Sequence, residues 1–228
     1  TNNVEILAKN AMIFNMNEVI YEDNDVLVLD KPAGVPVEVS ARSHERTVLD
    51  DVRESYPEAI LVHRLDKDTS GLLMVAKNAV AHEYFKQLFK ERKIKKTYIA
   101  LVSGEVSKDE GVISLPIARS KKDFRKRISS PRVVPGARPA ETHFKVLKKY
   151  AGYTLLEVSP KTGRTHQIRS HLASIGYPVA CDKLYGGKKY SCPAGLERQF
   201  LHAAGLGFVT KDGKQINLEA QLPSDLEE

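Results

Sequence analysis

Short runs of β-branched and aromatic residues, cut apart by turn signals, constrain this chain more than any other feature. Residues 142–150 and 153–158 flank Ala151-Gly152, and residues 200–209 and 215–220 are joined around Asp212-Gly213. Both pairs read as antiparallel hairpins, since so short a Gly-containing connection folds one strand straight back on the other. Residues 26–29 form an apolar run stopped by Lys31-Pro32-Ala33-Gly34, and residues 72–76 and 97–102 (TYIALV) read as further strands. Helical patterns are fewer. Residues 47–55 carry Thr47 as N-cap with Asp50 and Asp51 in the first turn. From Asn78, Ala81, Tyr84, Phe85, Leu88 and Phe89 recur at three and four, and the run ends in Lys90, Arg92, Lys93, Lys95 and Lys96, which suits a C-terminal dipole. Residues 165–175 place Ile168, Leu172 and Ile175 on one face, with Gly176 as the stop. Many hairpins and few helices predict an α+β fold with a mixed, mainly antiparallel central sheet flanked by helices. At 228 residues, 42% hydrophobic and 28% charged, the chain can bury a core as a single domain over residues 1–228. Disordered, collagen-like, coiled-coil and disulfide-scaffold classes are excluded.

The net charge of +6 is local. Arg119, Lys121, Lys122, Arg125, Lys126, Arg127, Arg132 and Arg138 face only Asp123 in a twenty-residue window of net +7, and the remaining residues carry −1. The window shows no periodicity and reads as a long basic connection at about residues 118–138. Packed like charge favours a polyanionic partner; a solvated charged loop is the bland alternative. Cys181 and Cys192 lie eleven apart, outside any metal-spaced pair, and read as two free thiols of a reducing, cytoplasmic protein, with one disulfide between them as the alternative. No apolar run nears the ~18 residues that span a bilayer, so no membrane partner is expected. The first ten residues do not form a signal peptide.

Two polar clusters carry potential chemistry. His63-Arg64-Leu65-Asp66-Lys67-Asp68-Thr69-Ser70-Gly71 imitates the opening of a calcium loop, but the place of its bidentate Glu is held by Lys77 and a strand follows. Asp66 is then either a lone nucleophile or base, kept ionised by the adjacent Arg64, or a turn residue capping backbone amides. In the second cluster, residues 161–171, His166 and Arg169 share a helix face, and with Arg164 and His171 they suit a phosphate or a carboxylate. Zinc is disfavoured, since His166 and His171 are five apart with no Cys or H-E-x-x-H support. No G-x-S-x-G, Walker or G-x-G-x-x-G motif occurs, which argues against a serine hydrolase, nucleoside triphosphates and dinucleotides. Tyr98, taken alone, is a strand aromatic in the core.

Taken in order, these segments resemble the RluA-type pseudouridine synthases. Residues 24–34 (NDVLVLDKPAG) look like the family's Lys-Pro-x-Gly motif and residues 63–71 (HRLDKDTSG) like its catalytic motif. Residues 95–104 (KKTYIALVSG) look like its tyrosine motif and residues 163–172 (GRTHQIRSHL) like its arginine motif, with residues 138–142 and 201–203 also in place. The resemblance implies that Asp66 attacks the target uridine so that the base detaches, rotates and rejoins through carbon 5. It implies that Tyr98 stacks on the base, that Arg169 pairs with the aspartate, and that Arg64 fills the space left by the extracted base. It implies RNA as partner, ribosomal (large subunit first) or transfer, with neither cofactor nor metal; from their charge, Lys121, Lys122, Arg125, Lys126 and Arg127, with Arg164 and His166, are expected to hold that RNA, and a monomer is expected. Many family members carry a small N-terminal RNA-binding domain before the first motif, where this chain has about 30 residues; a one-domain member and a chain lacking that domain are both open.

Overall fold

The computed structural model of the chain describes residues 18–39, 45–132, 134–189 and 191–227. They fall into two compact units: residues up to Ile94 with Gly205–Gln221, and Lys95–Ala204 with Leu222–Glu228.

In the first unit, β1 (Glu18–Glu22), β2 (Val26–Lys31) and β4 (Ser70–Ala76) pair antiparallel in that order, and β3 (Ile60–Leu61) also pairs with β4. Val26, Val28, Leu72, Met74 and Ala76 share one face, because strand residues alternate. There they pack with Phe85 and Leu88 of α2 (Ala79–Lys90), Phe208 of β11 (Leu201–Val209) and Ile216 of β12 (Gln215–Glu219). Leu27, Leu29, Leu73 and Val75 on the opposite face are buried too, so all seven residues of β4 are inside. Burial on both faces is why these strands read as continuous apolar runs rather than as alternation. Both helices start where the sequence places them. Thr47 caps α1 (Val48–Ser55) in a reciprocal box with Asp50, and Asn78 Oδ1 accepts the Ala81 N–H at 2.9 Å.

In the second unit, β5 (Lys95–Ser103), β10 (Tyr153–Pro160), β9 (Thr142–Tyr150) and β6 (Glu110–Ile113) pair antiparallel in that order. Gly152 takes φ +78° in the turn between β9 and β10, the left-handed region that glycine enters without strain. With α3 (Gln167–Ser174), the elements match the expected α+β class of antiparallel strands with few helices.

Three local expectations are corrected. The helix predicted from residue 165 begins at Gln167, because His166 adopts φ +54°, ψ +24° at its N-cap. A left-handed residue cannot propagate an α-helix, so His166 does not share a helix face with Arg169. The basic window is not wholly irregular: β7 (Ile117–Arg119) and β8 (Arg127–Ser129) form a small antiparallel hairpin. Three-residue strands are too short to leave a periodic signal. Finally, Cys181 and Cys192 are disulfide-bonded rather than free. The Cys181 N–H donates to the Ser191 carbonyl at 2.8 Å, doubling the chain back so that the two Cα atoms lie 4.5 Å apart. That reach is within bridging geometry, and free thiols therefore supply no argument for a reducing compartment. Among the described residues no helix is long and apolar enough to cross a membrane.

Candidate active site

Asp66 belongs to the first unit, on the turn between β3 and β4. The turn is built by the Thr69 N–H, which donates to the Asp66 carbonyl at 3.0 Å, and its flanks Leu65, Thr69 and Ser70 are buried. It is braced from β2. Register pairs Lys31 with Gly71, and the fully buried Lys31 ammonium donates to the carbonyls of Pro32 at 2.6 Å, Val35 at 2.9 Å and Lys67 at 3.0 Å. An ammonium has three N–H groups, and these three carbonyls meet all of them. The Gly34 N–H donates to the Lys67 carbonyl as well, at 2.9 Å, so the Lys-Pro-x-Gly turn holds the residue next to Asp66 from two directions. Gly34 sits at φ +83°, which explains the glycine there.

Arg64 precedes the turn by two residues. Its guanidinium is exposed and donates to Glu38 at 2.6 Å. His63 is engaged by backbone, since its Nε2 accepts the Met74 N–H at 2.9 Å while the ring lies 5.1 Å from that of Phe89. That nitrogen is occupied as an acceptor, which fits a structural His63.

The second unit holds Tyr98, Arg164, His166, Arg169 and the basic hairpin. Tyr98 is 9% exposed on β5, opposite Val158. Its neighbour Lys96 donates to the Thr162 carbonyl at 3.2 Å, and burial pushes its ammonium pKa from 10.5 down to about 8. The arginine motif is organised by Gln167. The Gln167 amide oxygen accepts from Thr162 Oγ1 and the Arg164 N–H, and its NH2 donates to the Glu141 carbonyl and Thr142 Oγ1. Arg164 Nε donates to the Pro139 carbonyl at 3.2 Å.

Arg169 is the most tightly held of the expected residues. Its Nε and Nη2 donate to Asp182 Oδ2 and Oδ1 at 2.7 and 2.9 Å, a two-pronged pair with side chains 10% and 0% exposed. Asp182 Oδ1 also accepts the N–H groups of Leu184 and Tyr185 at 2.9 and 3.0 Å. His171, expected among the phosphate ligands, is instead a core residue. Its Nδ1 lies 2.9 Å from Thr142 Oγ1 and its Nε2 2.9 Å from the Leu115 carbonyl, and burial lowers its pKa. A carbonyl only accepts, so Nε2 carries the proton.

The basic cations behave differently again. Arg119, Lys121, Lys122 and Arg125 are exposed, while Asp123 takes Arg125 in a fork at 3.0 and 2.9 Å. The hairpin is fastened to its unit by polar links. Tyr185 Oη accepts the Arg127 N–H at 2.7 Å, and Ser129 donates to Ser170 at 3.0 Å.

Sequence reading missed Asp182, Tyr185 and Gln167, and saw Lys31 only as part of a turn. The available signal for Asp182 was an acid directly after the apolar run 178–181 and just before Gly186-Gly187.

One α+β unit carries a strand-braced carboxylate turn, and the other carries a buried, forked guanidinium and a cationic hairpin. A family model for RNA pseudouridylate synthase matches residues 25–174. Ribosomal large subunit pseudouridine synthase C of Vibrio cholerae is 38% identical, over 92% of this chain and 67% of that protein. Ribosomal large subunit pseudouridine synthase D of Nitrosomonas europaea is 40% identical, over 92% of this chain and 63% of that protein. This chain thus spans about two thirds of those relatives' length. The solved structure of human RNA pseudouridylate synthase domain containing 1 matches with a TM-score of 0.75 at 30% identity, over 91% of this chain and 84% of that one. The chain belongs to the RNA pseudouridylate synthase family, isomerases that convert uridine in RNA to pseudouridine.

Proposed function

We propose that this protein isomerises uridine in large-subunit ribosomal RNA, with Asp66 as the attacking carboxylate, Tyr98 stacking on the base and Arg169 as the aspartate's cationic partner. The observation that carries the substrate is the relatives' naming: synthases C and D, at 38% and 40% identity over 92% of this chain, are both named for the ribosomal large subunit. The bracing of the Asp66 turn supports the role of Asp66, since a nucleophile must be held near its attack geometry.

A uridine in folded RNA leaves its stack at a cost of a few kcal/mol. Phosphate contacts from Lys121, Lys122, Arg125, Lys126, Arg127, Arg164 and His166 offset that cost. Arg64, exposed and paired with an exposed glutamate, is available to fill the gap left in the stack. Asp66 then attacks and bonds to the uridine, the bond from C1′ to N1 breaks, the base rotates, C5 bonds to C1′, the bond to Asp66 is broken in turn, the C5 proton leaves and N1 takes up a proton. Bond cleavage and formation occur within one nucleotide, so the atoms balance without an external reactant. The bacterial relatives named for ribosomal RNA favour the cytoplasm as the compartment.

Pseudouridine mapping across ribosomal and transfer RNA from cells with and without the protein tests the reading. Loss of one or more sites in large-subunit ribosomal RNA is expected. Losses confined to transfer RNA would overturn the ribosomal substrate, and no change anywhere would overturn the activity.

A further inference from the structure

Tyr185 stands at a junction that the isomerisation chemistry does not explain. Its ring lies 5.1 Å from the Arg169 guanidinium carbon, a cation–π contact on the same group that Asp182 forks. Its hydroxyl accepts the backbone N–H of Arg127, the first residue of β8, at 2.7 Å, and lies 3.0 Å from His166 Nδ1, with the two rings edge to face. One side chain therefore touches the guanidinium with its face and the cationic hairpin with its tip. Asp182 sets both contacts, because its Oδ1 accepts the N–H groups of Leu184 and Tyr185 while it grips Arg169. A planar guanidinium fixed by a two-oxygen fork and an aromatic face has little rotational freedom left.

We propose that Asp182 and Tyr185 are positioning residues for Arg169, and that the Tyr185 hydroxyl ties the basic hairpin to it, so that seating RNA on the hairpin and aligning the arginine are one event. The inference rests on Arg169 acting in the reaction. Asp182→Asn keeps the shape but removes the charge and sets an amide NH2 against the guanidinium. Tyr185→Phe keeps the ring and removes the acceptor for the Arg127 N–H. Tyr185→Leu removes both.

Single-turnover rates at saturating large-subunit ribosomal RNA transcript, RNA dissociation constants and melting temperatures separate the roles. For Asp182→Asn the saturating rate is expected to fall about 100-fold, the scale of an ångström-sized misplacement, and RNA affinity to weaken about three- to tenfold through the loosened Tyr185. Tyr185→Phe is expected to weaken RNA binding about tenfold and to lower the saturating rate far less than Tyr185→Leu does. Melting temperature alone falling, with the rate per folded molecule at the wild-type value, overturns the inference. If Asp182→Asn fails to fold, Tyr185→Leu decides: a wild-type saturating rate overturns it. Arg169→Ala runs beside them. Its retaining full turnover removes the reading of Arg169 and this inference with it, whereas an inactive Arg169→Ala beside a fully active Tyr185→Leu removes the inference alone.

Discussion

The Asp66 turn and the basic hairpin are built on opposite principles. The turn leads straight into β4, buried along all seven residues, and is braced by an ammonium whose three N–H groups all reach carbonyls. The hairpin has two three-residue strands, exposed cations, and polar ties to Tyr185 and Ser170. Chemistry needs a nucleophile held to fractions of an ångström, and burial with satisfied polar groups provides that. Holding a phosphate backbone needs charge at a tolerant distance, and exposed Lys and Arg provide that without a core. On the proposed roles, precision is located in one region and adhesion in the other.

The sharpest way to break this contrast is at Asp66. Asp66→Asn should lower isomerisation at least about 1000-fold while RNA affinity stays within about threefold, as measured by single turnover and filter binding. Comparable losses in both would mean that adhesion and chemistry are not separate. Next in size is Lys31→Met, which removes the ammonium from three carbonyls, of which only that of Lys67 keeps the Gly34 N–H as donor. A stability loss of about 3 kcal/mol is expected from urea unfolding, and an unchanged midpoint would show the brace to be dispensable. Neutralising Lys121, Lys122, Arg125, Lys126 and Arg127 together should weaken RNA binding about 30-fold near 0.1 M salt and flatten its salt dependence. Melting temperature should barely move. An unaltered salt slope would return the hairpin to an ordinary solvated surface.

The last effect concerns Lys96, whose pKa is about 8 folded against 10.5 unperturbed. Between those values the unfolded chain binds more protons than the folded one, so stability rises with pH there; below about 8 both forms are protonated and the contribution is flat at its lowest. Relative to Lys96→Met, the wild type should therefore gain about 2–3 kcal/mol between pH 8 and pH 10.5. Parallel stability curves for the two proteins would contradict it.

Features written locally in the chain were legible. Thr47 and Asn78 cap the helices that the pattern demands, and Gly152 makes the turn between β9 and β10. The motif residues were legible through resemblance rather than through spacing. What stayed hidden depends on contacts distant in sequence. Arg169 meets Asp182 thirteen residues on, Tyr185 reaches back 58 residues to Arg127, and the cysteine bridge follows from one backbone hydrogen bond between residues 181 and 191. His166 was misplaced because nothing in its residue type announces a left-handed backbone.

The central claim is that Asp66 drives uridine isomerisation in RNA. Forming the new bond at C5 expels the proton there, so release of label from 5-tritiated uridine in a large-subunit ribosomal RNA transcript reports the reaction directly. Stoichiometric release by the wild type with none from Asp66→Asn is the predicted result; equal release from both proteins would contradict it.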